Sequence, residues 1–121
     1  MNHFRALVIV DNNTTSMTLK NALTRLGCHV TVVPTTDEAR VVLGDRRYDA
    51  VFAELCARGD GGGRGIARWL KSRGSDSVCF ILTGWKGELE KRILRDEGID
   101  GVIRKPLIFN EIRDEILDHF G

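Results

Sequence analysis

Tyr48-Asp49-Ala50-Val51-Phe52-Ala53-Glu54-Leu55, followed by the glycine-rich loop Cys56-Ala57-Arg58-Gly59-Asp60-Gly61-Gly62, is the stretch that decides the fold. Its centre is continuously apolar and does not alternate, which is the pattern of a parallel strand covered on both faces. Its carboxyl end carries an acid and a loop built for a sharp exit. Similar short runs lie on either side: Ala6-Leu7-Val8-Ile9-Val10, His29-Val30-Thr31-Val32-Val33, Val78-Cys79-Phe80-Ile81-Leu82 and Gly101-Val102-Ile103. Each is bounded by Asp, Asn, Gly, Pro or Ser, the residues that end strands.

Helical spacing fills the intervals. Met17, Leu19, Ala22, Leu23 and Leu26 line a first helix that Thr14 or Thr15 caps and Gly27 ends. A second starts near Thr36 or Asp37 and uses Ala39, Val42 and Leu43. Ile66, Trp69 and Leu70 mark a third, Leu89, Ile93 and Leu94 a fourth that stops at Gly98. Ile112, Ile116, Leu117 and Phe120 mark a fifth from about Asn110. Strand and helix alternating five times predicts an α/β fold, a five-stranded parallel sheet between two layers of helices, in strand order 2-1-3-4-5. Ligands then bind at the carboxyl ends of strands one and three, where Asp11, Asn12 and Glu54 fall.

Bulk properties narrow the function. Residues 1–121 read as one domain, with 42% hydrophobic and 29% charged residues and a formal net charge of +1, which gives no electrostatic reason to expect nucleic acid. Met1-Asn2-His3-Phe4-Arg5 leads directly into a strand, unlike a signal peptide. No apolar segment approaches the roughly 18 residues of a membrane span. A cytoplasmic location is the expectation. Cys28, Cys56 and Cys79 show no CxxC spacing, and His3, His29 and His119 lie in separate segments without ligand spacing. Neither a disulfide framework nor a zinc site is predicted.

The strand ends resemble those of CheY-like response regulator receiver domains, a flavodoxin-like (βα)5 family, over the whole chain. In that family, acidic residues after strand one hold magnesium and an aspartate after strand three accepts a phosphoryl group. A Thr or Ser after strand four and a Lys before Pro after strand five contact the phosphoryl oxygens. The matching positions here are Asp11-Asn12, Glu54, Thr83-Gly84 and Lys105-Pro106. Cys56 stands where the family offers a backbone carbonyl to magnesium, and Val102 stands where it has a switch aromatic. Gly62 matches the glycine that opens helix three. The Lys105-Pro106 bond is a candidate cis peptide, because X-Pro disfavours cis by only about 0.5–1 kcal/mol. The glycine-rich loop is not read as a phosphate loop, since no Gly-Lys-Ser/Thr follows it.

Three departures bear on the chemistry that the resemblance implies. Glutamate carries its carboxylate one C–C bond, about 1.5 Å, farther out than aspartate. Asn12 replaces a charged magnesium ligand with an amide, so magnesium binding is expected to be weak. Val102 has no ring to swing toward Thr83. Glu54 therefore reads as a pocket carboxylate paired with Lys105 rather than as a nucleophile, and as a partial mimic of a phosphorylated aspartate that lacks the phosphate's charge and oxygen geometry. Asp11 reads either as a weak metal ligand or as a hydrogen-bonding partner for Lys105 or loop amides, and Asn12 as a loop residue satisfying backbone groups. Trp69 reads as core, Trp85 as a residue at the rim of the site, and Arg58, Arg64, Arg68, Lys71 and Arg73 as a solvated face around helix three.

The expected function is a degenerate receiver in two-component signalling, a protein-interaction module with little phosphoryl transfer, and not an enzyme. Its partners would be a histidine kinase, a phosphotransfer protein or an output protein. A homodimer through the face of helix four, strand five and helix five is a further expectation of the resemblance. The alternatives are an active phosphoaccepting switch and a small flavodoxin-like nucleotide-binding enzyme, the latter disfavoured by the missing phosphate loop after strand one and by Lys105-Pro106.

Overall fold

The computed structural model describes residues 4–84 and 91–120. Among them, five strands, β1 (Arg5–Ile9), β2 (His29–Val33), β3 (Ala50–Glu54), β4 (Val78–Thr83) and β5 (Gly101–Arg104), alternate with five helices. The helices are α1 (Asn13–Arg25), α2 (Thr36–Asp45), α3 (Gly62–Ser72), α4 (Lys91–Asp96) and α5 (Phe109–Phe120). All strand pairs are parallel and the order is β2-β1-β3-β4-β5, as the sequence predicts. Leu89 and Trp85, expected on the fourth helix and at the rim of the site, lie outside the described residues.

The continuous apolar runs are explained by what each face meets. Side chains alternate across a strand, so Ala6, Val8, Ala50, Phe52, Phe80, Leu82 and Ile103 face one core, closed by Leu19 and Leu23 of α1 and Ile112 and Ile116 of α5. Their neighbours Leu7, Ile9, Val51, Ala53, Cys79 and Ile81 face a second core, closed by Ala39 of α2 and Ile66, Ala67 and Leu70 of α3. Both faces are therefore dry along the central strands. Phe52 and Phe80 stack across β3 and β4 with centroids 5.0 Å apart.

The helix boundaries correct some expectations. Asn12, rather than Thr14 or Thr15, caps α1: its side-chain oxygen accepts from the Thr15 amide at 3.0 Å. Met17 is 57% exposed and Leu117 47% exposed, so neither belongs to its helix's buried stripe. At about 100° per residue, Met17 lies some 200° from Leu19 and Leu117 is turned one step off Ile116. Phe120 is also part-exposed but meets Phe4 edge-on at 4.6 Å. Trp69 is only half-buried, with the Arg73 guanidinium 4.4 Å from its ring centroid.

The basic residues around α3 are more than a solvated face. Arg64 forks onto both Glu97 oxygens, its Nε donating at 2.9 Å, and Arg68 lies 3.6 Å from the same carboxylate. Lys71 donates to the Asp96 carbonyl at 2.6 Å. These contacts fasten the end of α4 and the residue after it to α3.

α3 itself packs closely against the end of β3. A Cβ added to Gly63 would collide with the Glu54 carbonyl and lie 2.9 Å from Ile81 Cδ1, whereas one added to Gly44 in α2 meets nothing within 4 Å. Gly44→Ala should raise stability by about 0.4–1 kcal/mol through the unfolded chain's entropy. Gly63→Ala should lower it by about 1–3 kcal/mol through overpacking. Urea unfolding of both variants checks this, and a stabilised Gly63→Ala would contradict the close approach of α3 to β3.

Thiol chemistry gives a second check. Cys28 and Cys79 are buried and Cys56 is exposed. Burial pushes the Cys79 thiol up to about 12 from the ordinary 9.0, and Cys28 is raised by the same cause. The thiolate is the reactive form, so iodoacetamide on the native protein at pH 8 should modify Cys56 first. Cys28 and Cys79 should react only as fast as the fold opens. Peptide mapping of a time course reads this out, and early labelling of Cys79 would contradict the burial of β4.

Candidate functional site

Parallel strands bring all their carboxyl ends to one edge of the sheet. That edge gathers residues from β1, β3, β4 and β5. β1 continues through Val10, whose amide donates to the Val33 carbonyl at 3.1 Å, and delivers Asp11 and Asn12 just before α1. β3 ends on Glu54, β4 on the buried Thr83, and β5 is followed by Lys105 and a cis Lys105–Pro106 bond. The Lys105 amide donates to the Thr83 carbonyl at 2.8 Å, which extends the β4–β5 ladder to the lysine.

Lys105 and Glu54 meet directly at this edge. The Lys105 ammonium donates to Glu54 Oε1 at 2.6 Å, with the two side chains 34% and 21% exposed. β4 lies between the strands that carry them, so the pair spans the sheet end over Thr83. Part-buried and charge-assisted, such a bond contributes about 1.5–3 kcal/mol, more than the 0–1 kcal/mol typical of an exposed pair.

Asp11 has a partner that the sequence did not indicate. Arg58, from the loop between β3 and α3, donates from Nη1 to Asp11 Oδ2 at 3.2 Å. The readings of Asp11 as a weak metal ligand or as a partner of Lys105 or loop amides did not include this guanidinium. Arg58 stands apart from the basic residues of helix three, and its position in a loop carries no periodicity that would reveal this. Its direction is set by tertiary anchoring of that loop. Asn12 satisfies a backbone group as expected, and the group is the first turn of α1.

Cys56 lies exposed in the same loop. Val102 does not reach this edge. It lies in register with Ile81 and packs with Leu94 against the second core, one step out of phase with Ile103.

The magnesium implied by the resemblance would call on Asp11, Asn12, Glu54 and the Cys56 carbonyl. Among the described residues no group of three or more His, Cys, Asp or Glu side chains comes together to hold a metal. Asp11 and Glu54 each accept from a cation, and the Asn12 amide oxygen accepts from Thr15. Magnesium favours carboxylate oxygens and keeps strict octahedral geometry, so these residues do not fit a tight site for it.

Comparison with known proteins agrees with this geometry. A family model for the response regulator receiver domain matches residues 6–117. A CheY-like receiver domain from Methylobacillus flagellatus superposes with a TM-score of 0.81 at 25% identity, covering 95% of this chain and 97% of that one. The receiver domain of TorR, the response regulator of a TMAO respiratory system, superposes with a TM-score of 0.83 at 20% identity, covering 97% and 96%. Full-length ShkA, solved with AMPPNP, matches at 25% identity and a TM-score of 0.84, over 98% of this chain but 24% of that protein. With its strand order, its paired site at the carboxyl edge and this match, the chain belongs to the response regulator receiver domain family of two-component signal transduction.

Proposed function

We propose that this receiver is a degenerate one, a pseudo-receiver that works as a protein-interaction module with little or no phosphoryl transfer. The observation that carries this is the Lys105–Glu54 contact at 2.6 Å. In a phosphorylating receiver the lysine serves the incoming phosphoryl group. Here it holds the carboxylate at the acceptor position, and the longer glutamate side chain is drawn toward it. A displacement near 1 Å costs an oriented reaction about 10²-fold, and an acceptor oxygen already engaged with an ammonium is a poorer nucleophile still.

The metal side points the same way. Asn12 supplies no charge and is committed to the cap of α1, so any magnesium binding at Asp11, Glu54 and the Cys56 carbonyl is weak. Thr83 keeps the family's hydroxyl at the end of β4, beside Arg104 in register, and it remains the phosphate-contact position should the chemistry be restored. Val102 contributes no ring to relay occupancy of the site.

Residues 1–121 act as one receiver unit in this reading, in the cytoplasm. Among the described residues no helix is long and apolar enough to cross a membrane. The partner is a histidine kinase, a phosphotransfer protein or an output protein, and a homodimer through α4, β5 and α5 is one form of such contact. That face has a cavity of about 460 Å³ between Leu94, Val102 and Glu115.

Incubation with acetyl phosphate and magnesium should leave the intact mass unchanged. Asn12→Asp with Glu54→Asp should label at least about 10²-fold faster, with loss of the label in hydroxylamine. Asp caps a helix as well as Asn does, so the double variant keeps α1 intact. Prompt, magnesium-dependent labelling of the unaltered protein would establish the active-switch reading instead.

A further inference from the structure

We propose that Arg58 is the site's resident counter-cation, a guanidinium supplied by the chain itself that occupies the charge position beside Asp11 and keeps divalent cations out. The inference deepens the pseudo-receiver reading, on which it rests.

An arginine on a free loop would do this poorly. Arg58 and Asp11 are 71% and 47% exposed, and an exposed pair gains little once the cost of ordering two side chains is met. The loop here is ordered by other bonds. The Thr36 amide donates to the Arg58 carbonyl at 2.8 Å, and Thr35 and Arg58 form an isolated parallel bridge. The Arg58 backbone is thus pinned to the entry of α2. Two residues on, the Asp60 carbonyl accepts from Thr36 Oγ1 at 3.2 Å and from Arg40 Nη2 at 3.1 Å. Between these anchors, Gly59 has φ +108° and lies against Thr36 so closely that a Cβ would strike its side chain and come within 3.0 Å of its amide nitrogen. Only glycine lets the loop lie this way.

With its backbone fixed, Arg58 reaches Asp11 at reduced entropic cost, as any preorganised group does. The charge balance then explains the effect on a metal. Asp11 and Glu54 carry two negative charges; Arg58 and Lys105 carry two positive ones, each within hydrogen-bond distance of an acid. An arriving divalent cation meets these two acids already neutralised by their described partners and must displace a tethered guanidinium that cannot diffuse away.

The test is a magnesium titration at fixed ionic strength, read by the amide shifts of Asp11 to Thr15 and Cys56, on the wild type, Arg58→Ala, Arg58→Lys, Thr36→Val and Arg68→Ala. Arg58→Ala should bind magnesium about three- to tenfold more tightly. Arg58→Lys, which keeps the charge, should stay within about twofold of the wild type. Thr36→Val, which keeps the amide bond to Arg58 but removes the hydroxyl bond to the Asp60 carbonyl, should fall between wild type and Arg58→Ala. Arg68→Ala removes an equal charge at the Glu97 contact, far along α3, and should change nothing. Equal affinities for wild type and Arg58→Ala, or an equal gain in Arg68→Ala, would overturn the assignment, and a Thr36→Val equal to wild type would overturn the contribution of the Asp60 anchor. Labelling of the wild type by acetyl phosphate would overturn the pseudo-receiver reading, whereas the affinity ratio between wild type and Arg58→Ala decides the role of Arg58 independently of labelling.

Discussion

The bond from the Lys105 ammonium to Glu54 Oε1 joins the ends of β3 and β5 across β4, and the character of the site depends on it. A parallel sheet makes such a bond available, because it delivers every strand's last residue to the same edge. What the sheet does not determine is which group the lysine holds. Here the ammonium closes directly on the Glu54 carboxylate.

The same preference for internal pairing recurs away from the edge. Glu97, just past α4, is gripped by Arg64 and Arg68, and the Arg64 hydrogen bonds hold its carboxyl below the usual carboxylate range. Lys71 holds the Asp96 carbonyl. α3, whose first turn packs against the Glu54 carbonyl through Gly63, is therefore tied to the end of α4 by ionic contacts on its far side. Val102 and Leu94 are half-buried and pack against the second core. The described contacts between the site and the α4 face run through α3 and through packing, with no aromatic residue at the Val102 position.

Much of the fold was legible because it rests on composition that repeats. Most of the five apolar runs are near-continuous, the pattern of strands covered on both faces, and both cores are present on either side of the sheet. Glu54 and Lys105 were legible as a pair because the strand order places their strand ends on one edge. Three features were not. Asn12 and Thr14 are both competent caps, and only the backbone geometry, with Asn12 extended and its oxygen on the Thr15 amide, chooses between them. Met17 and Leu117 have the chemistry of core residues but not the angular phase. Arg58 lies in a loop whose course is set by Thr36 and Arg40, residues far off in sequence, so no local spacing could have aimed it at Asp11.

The central claim, that the carboxyl edge is filled by its own ion pairs, is tested most directly by a backbone amide spectrum of the unaltered protein titrated with magnesium and then with beryllofluoride, which forms a phosphoryl-like adduct on receptive carboxylates. The predicted result is a spectrum that barely changes at millimolar magnesium and gains no new set of signals with beryllofluoride. A saturable shift centred on Asp11, Cys56, Thr83 and Lys105, spreading to Arg95 and Arg113, would show that the pairs open for a ligand and that the site still switches.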